Sequence, residues 1–373
     1  MSSVEERLRQ RLVAGPVPFH DFMDEALYGK GGYYAGAEVP IGRRGDFVTG
    51  SSLSPLFGAA TARLLERLDD ALGAPAGYLE AGYGNGEHLA AVAGAVGQGR
   101  RLLAWDRVAR PLPEGVRAVR HLEELPERSL AGLVFSYELF DALPVHRLVR
   151  REDGSLGEIW VTLDPHGSFA WAEGELSAPD LPERCGLEAD ALEPGQIADL
   201  APGWRPLMRA LATRLGRGLV VTCDYGYERP RLLDARVRRT GTLACYRAHT
   251  VHRDPFRDIG RQDLTAHVDW TALVAEGEAS GLETVALAPQ ALWLTALGIF
   301  EDLQDADLPT RLAAATLLDP EGMGSDLKVL VQARGVGVEE VLRLDLLGRP
   351  LGSPDRPTGA PSSGSDTRWT ASG

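Results

Sequence analysis

Five residues between positions 80 and 106 have the types and spacing to hold a nucleoside-like ligand. Glu80 closes a strand-like run over 78–80. Gly82, Gly84 and Gly86 follow at alternate positions, and an Ala-rich helical run over 89–96 begins behind them. Glycines spaced this way let the backbone turn sharply and let a ligand lie directly on it. The start of a helix placed there adds unpaired N–H groups. The pattern is not Gly-x-Gly-x-x-Gly, because Gly86 comes one residue early, and no Gly-Lys-Ser/Thr follows. Dinucleotide and phosphate cradles are therefore disfavoured. Asp106 ends the next strand-like run, 101–105. Its distance from Glu80 is near the roughly 20 residues at which a ribose-holding acid follows such a turn. A carboxylate there can accept both ribose hydroxyls.

A second group lies further on. Residues 131–136 form an apolar strand that runs into Glu138 and Asp141. Ligands in open α/β sheets sit beyond the carboxyl ends of the strands, which puts both acids at the mouth of a site. Three residues apart, they share a face if the segment is helical. Two carboxylates so placed can orient an incoming amine or guanidinium and take up its charge. The buried run 218–223 brings a further strand-end acid, Asp224. His249 and His267 have the chemistry of proton carriers or substrate contacts, and His249 joins Glu138 and Asp141 as the candidate catalytic set.

The elements needed to carry these residues are those of an α/β fold with a mostly parallel central sheet. Helical periodicity covers 4–13 and 19–27, and residues 54–72 read as a long amphipathic helix with Ser54 as N-cap and Pro55 as first helical residue. Residues 158–163 and 169–171 alternate like an inserted hairpin. Residues 178–194 read as a Pro- and acid-rich loop, 204–215 as a helix, and 241–270 as polar and irregular. Helices over 271–280 and up to 318 surround strands at 283–287 and 327–332. The domain reading is an N-terminal helical segment (1–74), the first half of a ligand-binding core (75–150), an inserted hairpin and helix (151–216), the second half of the core with a substrate-side insertion (217–335), and a disordered Pro/Gly/Ser/Thr-rich tail (336–373).

Composition narrows the function classes. The chain has 373 residues and a net charge of −14, which argues against a general nucleic-acid binder, since that needs a basic face. Acidity suits a cationic partner, and it also serves solubility. The three cysteines are widely spaced and form no Cys-x-x-Cys pair, so neither a disulfide framework nor a metal site is expected. No window approaches the roughly 18 apolar residues of a membrane span, and there is no apolar signal core. The expectation is a soluble cytoplasmic protein that binds neither membrane nor nucleic acid; its oligomeric state is left open, a dimer included.

Taken together, Glu80, the three glycines and Asp106 resemble the S-adenosylmethionine site of class I methyltransferases. Several further blocks resemble the MidA-like methyltransferases, which include the mitochondrial complex I assembly-factor arginine methyltransferase. They are Leu27-Tyr28 with Gly32-Tyr33-Tyr34, Gly45-Asp46-Phe47-Val48-Thr49, Ser54-Pro55-Leu56-Phe57-Gly58, the block from Glu138 to Val145, Asp224-Tyr225-Gly226-Tyr227, and the block from Asp263 to Asp269. They stand in the family's order over roughly residues 15–335.

The resemblance implies a Rossmann-like core, S-adenosyl-L-methionine as cofactor, Asp46 and Thr49 on a loop near it, and a protein arginine as methyl acceptor. Tyr83, Asn85 and Tyr137 depart from the family's usual residues, and the Pro common after Thr49 is missing. These departures keep two alternatives open: methyl transfer to a small-molecule metabolite, and a non-catalytic assembly protein on a methyltransferase scaffold.

Overall fold

The computed structural model describes residues 3–36, 55–97, 99–248, 250–304, 306–337 and 341. In chain order the longer elements are α1 (Val4–Ala14), β1 (Val17–Pro18), α2 (Phe19–Tyr28), α3 (Pro55–Leu72), β2 (Gly77–Ala81), α4 (Glu87–Ala95), β3 (Leu102–Trp105), β4 (Val116–Val119), β5 (Leu130–Tyr137), β6 (His146–Arg150), β7 (Leu156–Leu163), β8 (Phe169–Gly174), β9 (Ile197–Leu200), α5 (Trp204–Arg214) and β10 (Leu215–Tyr227). Then follow β11 (Ala244–Arg247), β12 (Thr250–His252), β13 (Asp263–Thr265), β14 (Val268–Asp269), α6 (Trp270–Ala279), β15 (Glu283–Pro289), α7 (Gln290–Ala296), α8 (Leu308–Leu318) and β16 (Leu327–Arg334).

The central sheet has the order β15-β16-β10-β5-β2-β3-β4, with β14 added to the end of β10. The strands from β10 to β4 are mutually parallel, while β16 runs antiparallel to both its neighbours. Buried on both faces, β2 and the second half of β5 read as near-continuous apolar runs, as parallel strands do. The chain leaves β2 toward β3 on one side, and β5 lies on the other. The sheet therefore reverses its winding at β2 and β5, where open α/β sheets leave a crevice beyond the strand ends.

Three glycines cross the sheet in one row, Gly77 opposite Gly132 opposite Gly218. A Cβ built on Gly132 would lie 2.0 Å from the Gly77 carbonyl oxygen, and Gly132 has φ +145°. The row lets β2, β5 and β10 start their ladder without side chains between the backbones.

The elements outside the core are more ordered than the sequence suggests. The expected hairpin exists as β7 and β8, but β1, β6 and β9 widen it to a five-stranded antiparallel sheet. Phe19 and Phe22 of α2 pack on Trp171, Phe169 and Phe256, which seals the N-terminal helices to this sheet. The loop 178–194 contains a short helix, Leu181–Cys185, started by Pro182 in its first turn. Residues 241–270, read as irregular, hold the three-stranded sheet β12-β11-β13. Its strands are three or four residues long, too short for period-2 alternation to register. The strand expected at 218–223 extends to Tyr227 because β14 and β16 supply partners for its end. Ser54 and the segment beyond residue 341 lie outside the described residues.

Candidate active site

The glycine turn is built as the spacing requires. Gly82, Gly84 and Gly86 have φ of +74°, +53° and +78°, a region open to glycine at no steric cost. Gly86 is the N-cap of α4, with no side-chain capping bond. The Gly82 N–H is given to the Trp105 carbonyl, 2.7 Å away, which holds the turn against the end of β3. Above the turn lies a cavity of about 370 Å³, within the roughly 300–1,000 Å³ range of small-molecule sites.

Glu80 and Asp106 both line this cavity. Glu80 is buried, and its Oε2 accepts from the Tyr78 hydroxyl (2.7 Å) and is hydrogen-bonded to His88 Nδ1 (3.0 Å). Asp106 accepts the Gly84 N–H at 3.0 Å and the Val108 N–H at 2.9 Å. Burial raises its pKa, and those N–H groups together with Arg110 counteract the rise.

The departures from the family pattern have local partners. The Tyr83 hydroxyl accepts the Arg110 N–H (2.7 Å) and donates to the Arg110 carbonyl (3.0 Å), so the ring forms a wall of the cavity. Asn85 Oδ1 accepts the Glu87 N–H, and the Tyr137 hydroxyl is given to Gln290 Oε1.

A further part of the cavity lining is acidic. Glu138, Asp141 and Asp263 line it together with Tyr34, Tyr225 and Tyr246. The segment after β5 is not a helix, contrary to the helical option for Glu138 and Asp141. Glu138 sits in the left-handed region, φ +48°, and its N–H is given to the Cys223 carbonyl. Asp224 explains that turn. Its Oδ2 accepts the N–H groups of Leu139 (3.1 Å) and Phe140 (2.8 Å), and its Oδ1 accepts that of Tyr225. Asp224 therefore holds the loop that presents the other two acids; its own carboxylate is spent on backbone.

These carboxylates crowd one another. Burial, then the charges of Asp224, Glu138 and Asp263, push the Asp141 pKa well above the usual range. Burial also raises Asp224 to about 7 against the pull of its backbone donors. An acid whose pKa is raised on folding takes up protons in the native state, so its cost to stability grows as pH climbs from about 4 to about 7. Removing the ionisable group removes that slope. Asp224→Asn should therefore gain in Tm relative to the unaltered chain between pH 4.5 and pH 7.5, whatever its absolute stability. A Tm difference independent of pH would refute the assignment.

Two residues that the sequence did not single out complete the wall. The Tyr34 hydroxyl is given to Asp263 Oδ1 at 2.9 Å, and the Tyr34 carbonyl accepts from the Arg110 guanidinium, whose other nitrogen reaches the Gly84 carbonyl at 3.2 Å. Tyr34 belongs to the Gly32-Tyr33-Tyr34 block and Asp263 to the last acidic block, so both signals were present as motifs without a role. His267 is not among the cavity's lining residues; its ring is tilted against Tyr227, and burial lowers its pKa to about 4. Asp46, Thr49 and His249 lie outside the described residues. Among the described residues there is no group of three or more His, Cys, Asp or Glu side chains that could hold a metal, and no helix is long and apolar enough to cross a membrane.

Comparison with known proteins agrees with this geometry. A family model described as an S-adenosyl-L-methionine-dependent methyltransferase matches residues 95–288, just over half of the chain. The crystal structure of a superfamily member from Burkholderia thailandensis bound to S-adenosyl-homocysteine superposes with a TM-score of 0.80 at 28% identity, covering 90% of this chain and 92% of that one. The protein arginine methyltransferase NDUFAF7 homolog of Drosophila melanogaster is 26% identical over 90% of this chain and 85% of its own length. The mitochondrial protein arginine methyltransferase NDUFAF7 of Mus musculus is 26% identical over 73% of this chain and 69% of its own. A glycine turn at the sheet's reversal point, acids at both flanking strand ends and a family match through the middle of the chain lead to one conclusion: this chain belongs to the S-adenosyl-L-methionine-dependent methyltransferases.

Proposed function

We propose that the methyl acceptor is an arginine side chain of a protein. The observation that carries this reading is the acidic wall: Glu138, Asp141 and Asp263 share one cavity with the glycine turn, and carboxylates clustered there favour a cation. A guanidinium supplies that cation along with several N–H donors in one plane. The names of the insect and mouse relatives are in keeping with it.

The residues divide the work. The glycine turn and Glu80 would hold the amino-acid end of the cofactor, and Asp106 would accept from its ribose. The cofactor, when bound, supplies an electrophilic methyl group on a sulfonium. Glu138 and Asp141 would bind the acceptor nitrogen, draw its positive charge toward themselves and accept its proton. Alignment of acceptor and donor is worth up to roughly 7–11 kcal/mol in favourable cases, and the Asp224-braced loop is what fixes the acceptor side of that alignment.

Two experiments test the reading. Incubating the protein with methyl-labelled cofactor and cell lysate should leave label in protein, recovered as methylarginine after hydrolysis. Label found only in small molecules would overturn the arginine assignment in favour of a metabolite acceptor. Replacing Asp106 by Ala should weaken S-adenosylhomocysteine binding roughly tenfold or more, the scale of hydrogen bonds to a charged group. Unchanged affinity would remove Asp106 from the cofactor side.

A further inference from the structure

His88 has no part in the division of work above, yet it is 4% exposed, lies in the first turn of α4 and lines the cavity. Its ring sits against Phe57 and Phe135, at centroid distances of 5.4 Å and 5.0 Å. Nε2 is 3.1 Å from Thr61 Oγ1, and Nδ1 is 3.0 Å from Glu80 Oε2.

The hydrogens around this ring can be counted. The Thr61 hydroxyl owns one hydrogen and gives it to the Phe57 carbonyl at 3.0 Å, an oxygen that can only accept. Thr61 Oγ1 therefore accepts from Nε2, and Nε2 carries a hydrogen. The Tyr78 hydroxyl already donates to Glu80 Oε2. The Nδ1 contact then needs one more proton, either on Nδ1 facing a carboxylate or on Oε2 facing a neutral ring. In both cases a hydrogen bond joins His88 Nδ1 to Glu80 Oε2.

We propose that His88 is a positioning residue for cofactor binding: it locks the Glu80 carboxylate by its Oε2 edge and leaves Oε1 to the ligand. This rests on Glu80 belonging to the cofactor cradle. Without the bond at Nδ1 the Glu80 carboxylate loses one of the two groups that fix its Oε2 edge, so cofactor affinity depends on His88. The titratable groups facing the ring are Glu80 and Tyr78 from β2. Helix α3 presents Phe57 and Thr61, β5 presents Phe135, and the neighbouring Glu87 of α4 is exposed. Tyr137, packed on the far side of Phe57, gives its hydroxyl to Gln290.

The test is calorimetric titration of the full chain with S-adenosylhomocysteine, for the unaltered protein and for His88→Asn, His88→Gln and Glu80→Gln. An asparagine amide occupies the place of Nδ1 and keeps the bond to Glu80. Its affinity should stay within about threefold, whereas His88→Gln reaches Thr61 only and should bind roughly tenfold or more weakly. If Glu80→Gln weakens binding while His88→Asn and His88→Gln behave alike, the positioning role is overturned and the cradle stands. If Glu80→Gln binds normally, both fall. Nitrogen-15 NMR of the unaltered protein decides the hydrogen count even if a variant fails to fold: a His88 Nε2 without hydrogen overturns the proposal.

Discussion

Glu138→Gln is expected to lower kcat by roughly 10²- to 10⁴-fold, the usual contribution of a positioned acid–base group, while the affinity for S-adenosylhomocysteine stays near that of the unaltered protein. Glutamine keeps the shape and the hydrogen-bonding reach of the side chain. It cannot hold an acceptor's positive charge or receive its proton. Glu138 is suited to such a task by where its backbone is held. The left-handed conformation at φ +48° is uncommon for a residue with a side chain. It persists because the Glu138 N–H is fixed to Cys223 and the next two N–H groups to Asp224. Strained backbone braced from all sides is common where a side chain must be aimed. Single-turnover rates and a binding titration on the same preparation separate the two effects. Equal loss of transfer and of cofactor binding would remove Glu138 from the acceptor side.

The second large effect concerns the sheet. Gly132→Ala should cost on the order of 4 kcal/mol or more, at the severe end of single substitutions. Its Cβ would lie 2.0 Å from the Gly77 carbonyl oxygen and 2.6 Å from the Gly77 nitrogen, both backbone atoms in the neighbouring strand. Nothing there can rotate away, so β2 and β5 must part or slip in register. A slip matters beyond stability, because Ala81 and Ser136 pair at the other end of the same ladder, next to Glu80 and Glu138. Thermal denaturation should show a Tm lowered by roughly five degrees or more, with cofactor affinity reduced in whatever folded protein remains. A Tm within two degrees of the unaltered chain would show that the strands accommodate a methyl group there.

The parallel core and its glycine turn were legible because they depend on local chemistry. Apolar strands, positive-φ glycines and acids at strand ends leave their marks within a few residues. The acceptor wall was less legible, for three physical reasons. Asp224 has the same appearance in sequence as Glu138 and Asp141, yet its carboxylate is taken up by backbone N–H groups; the direction in which a side chain is spent is a tertiary fact. Glu138 and Asp141 carry a spacing that suits a helix, and the brace from Asp224 overrides it. Tyr34 and Asp263 meet across 229 residues of chain, a distance over which spacing says nothing. His88 reads simply as part of a helix start until Thr61 and Glu80 are seen on either side of its ring. The short strands between 241 and 270 gain order from pairing with one another, which no run of three or four residues announces.

The bond between Tyr34 and Asp263 bears on how the enzyme is made. The residues proposed to grip the nucleoside, from Glu80 to Asp106, leave the ribosome long before residue 263 does. The side of the cavity that joins Tyr34 to Asp263 can therefore close only once translation is well past its midpoint, however early the glycine turn is made.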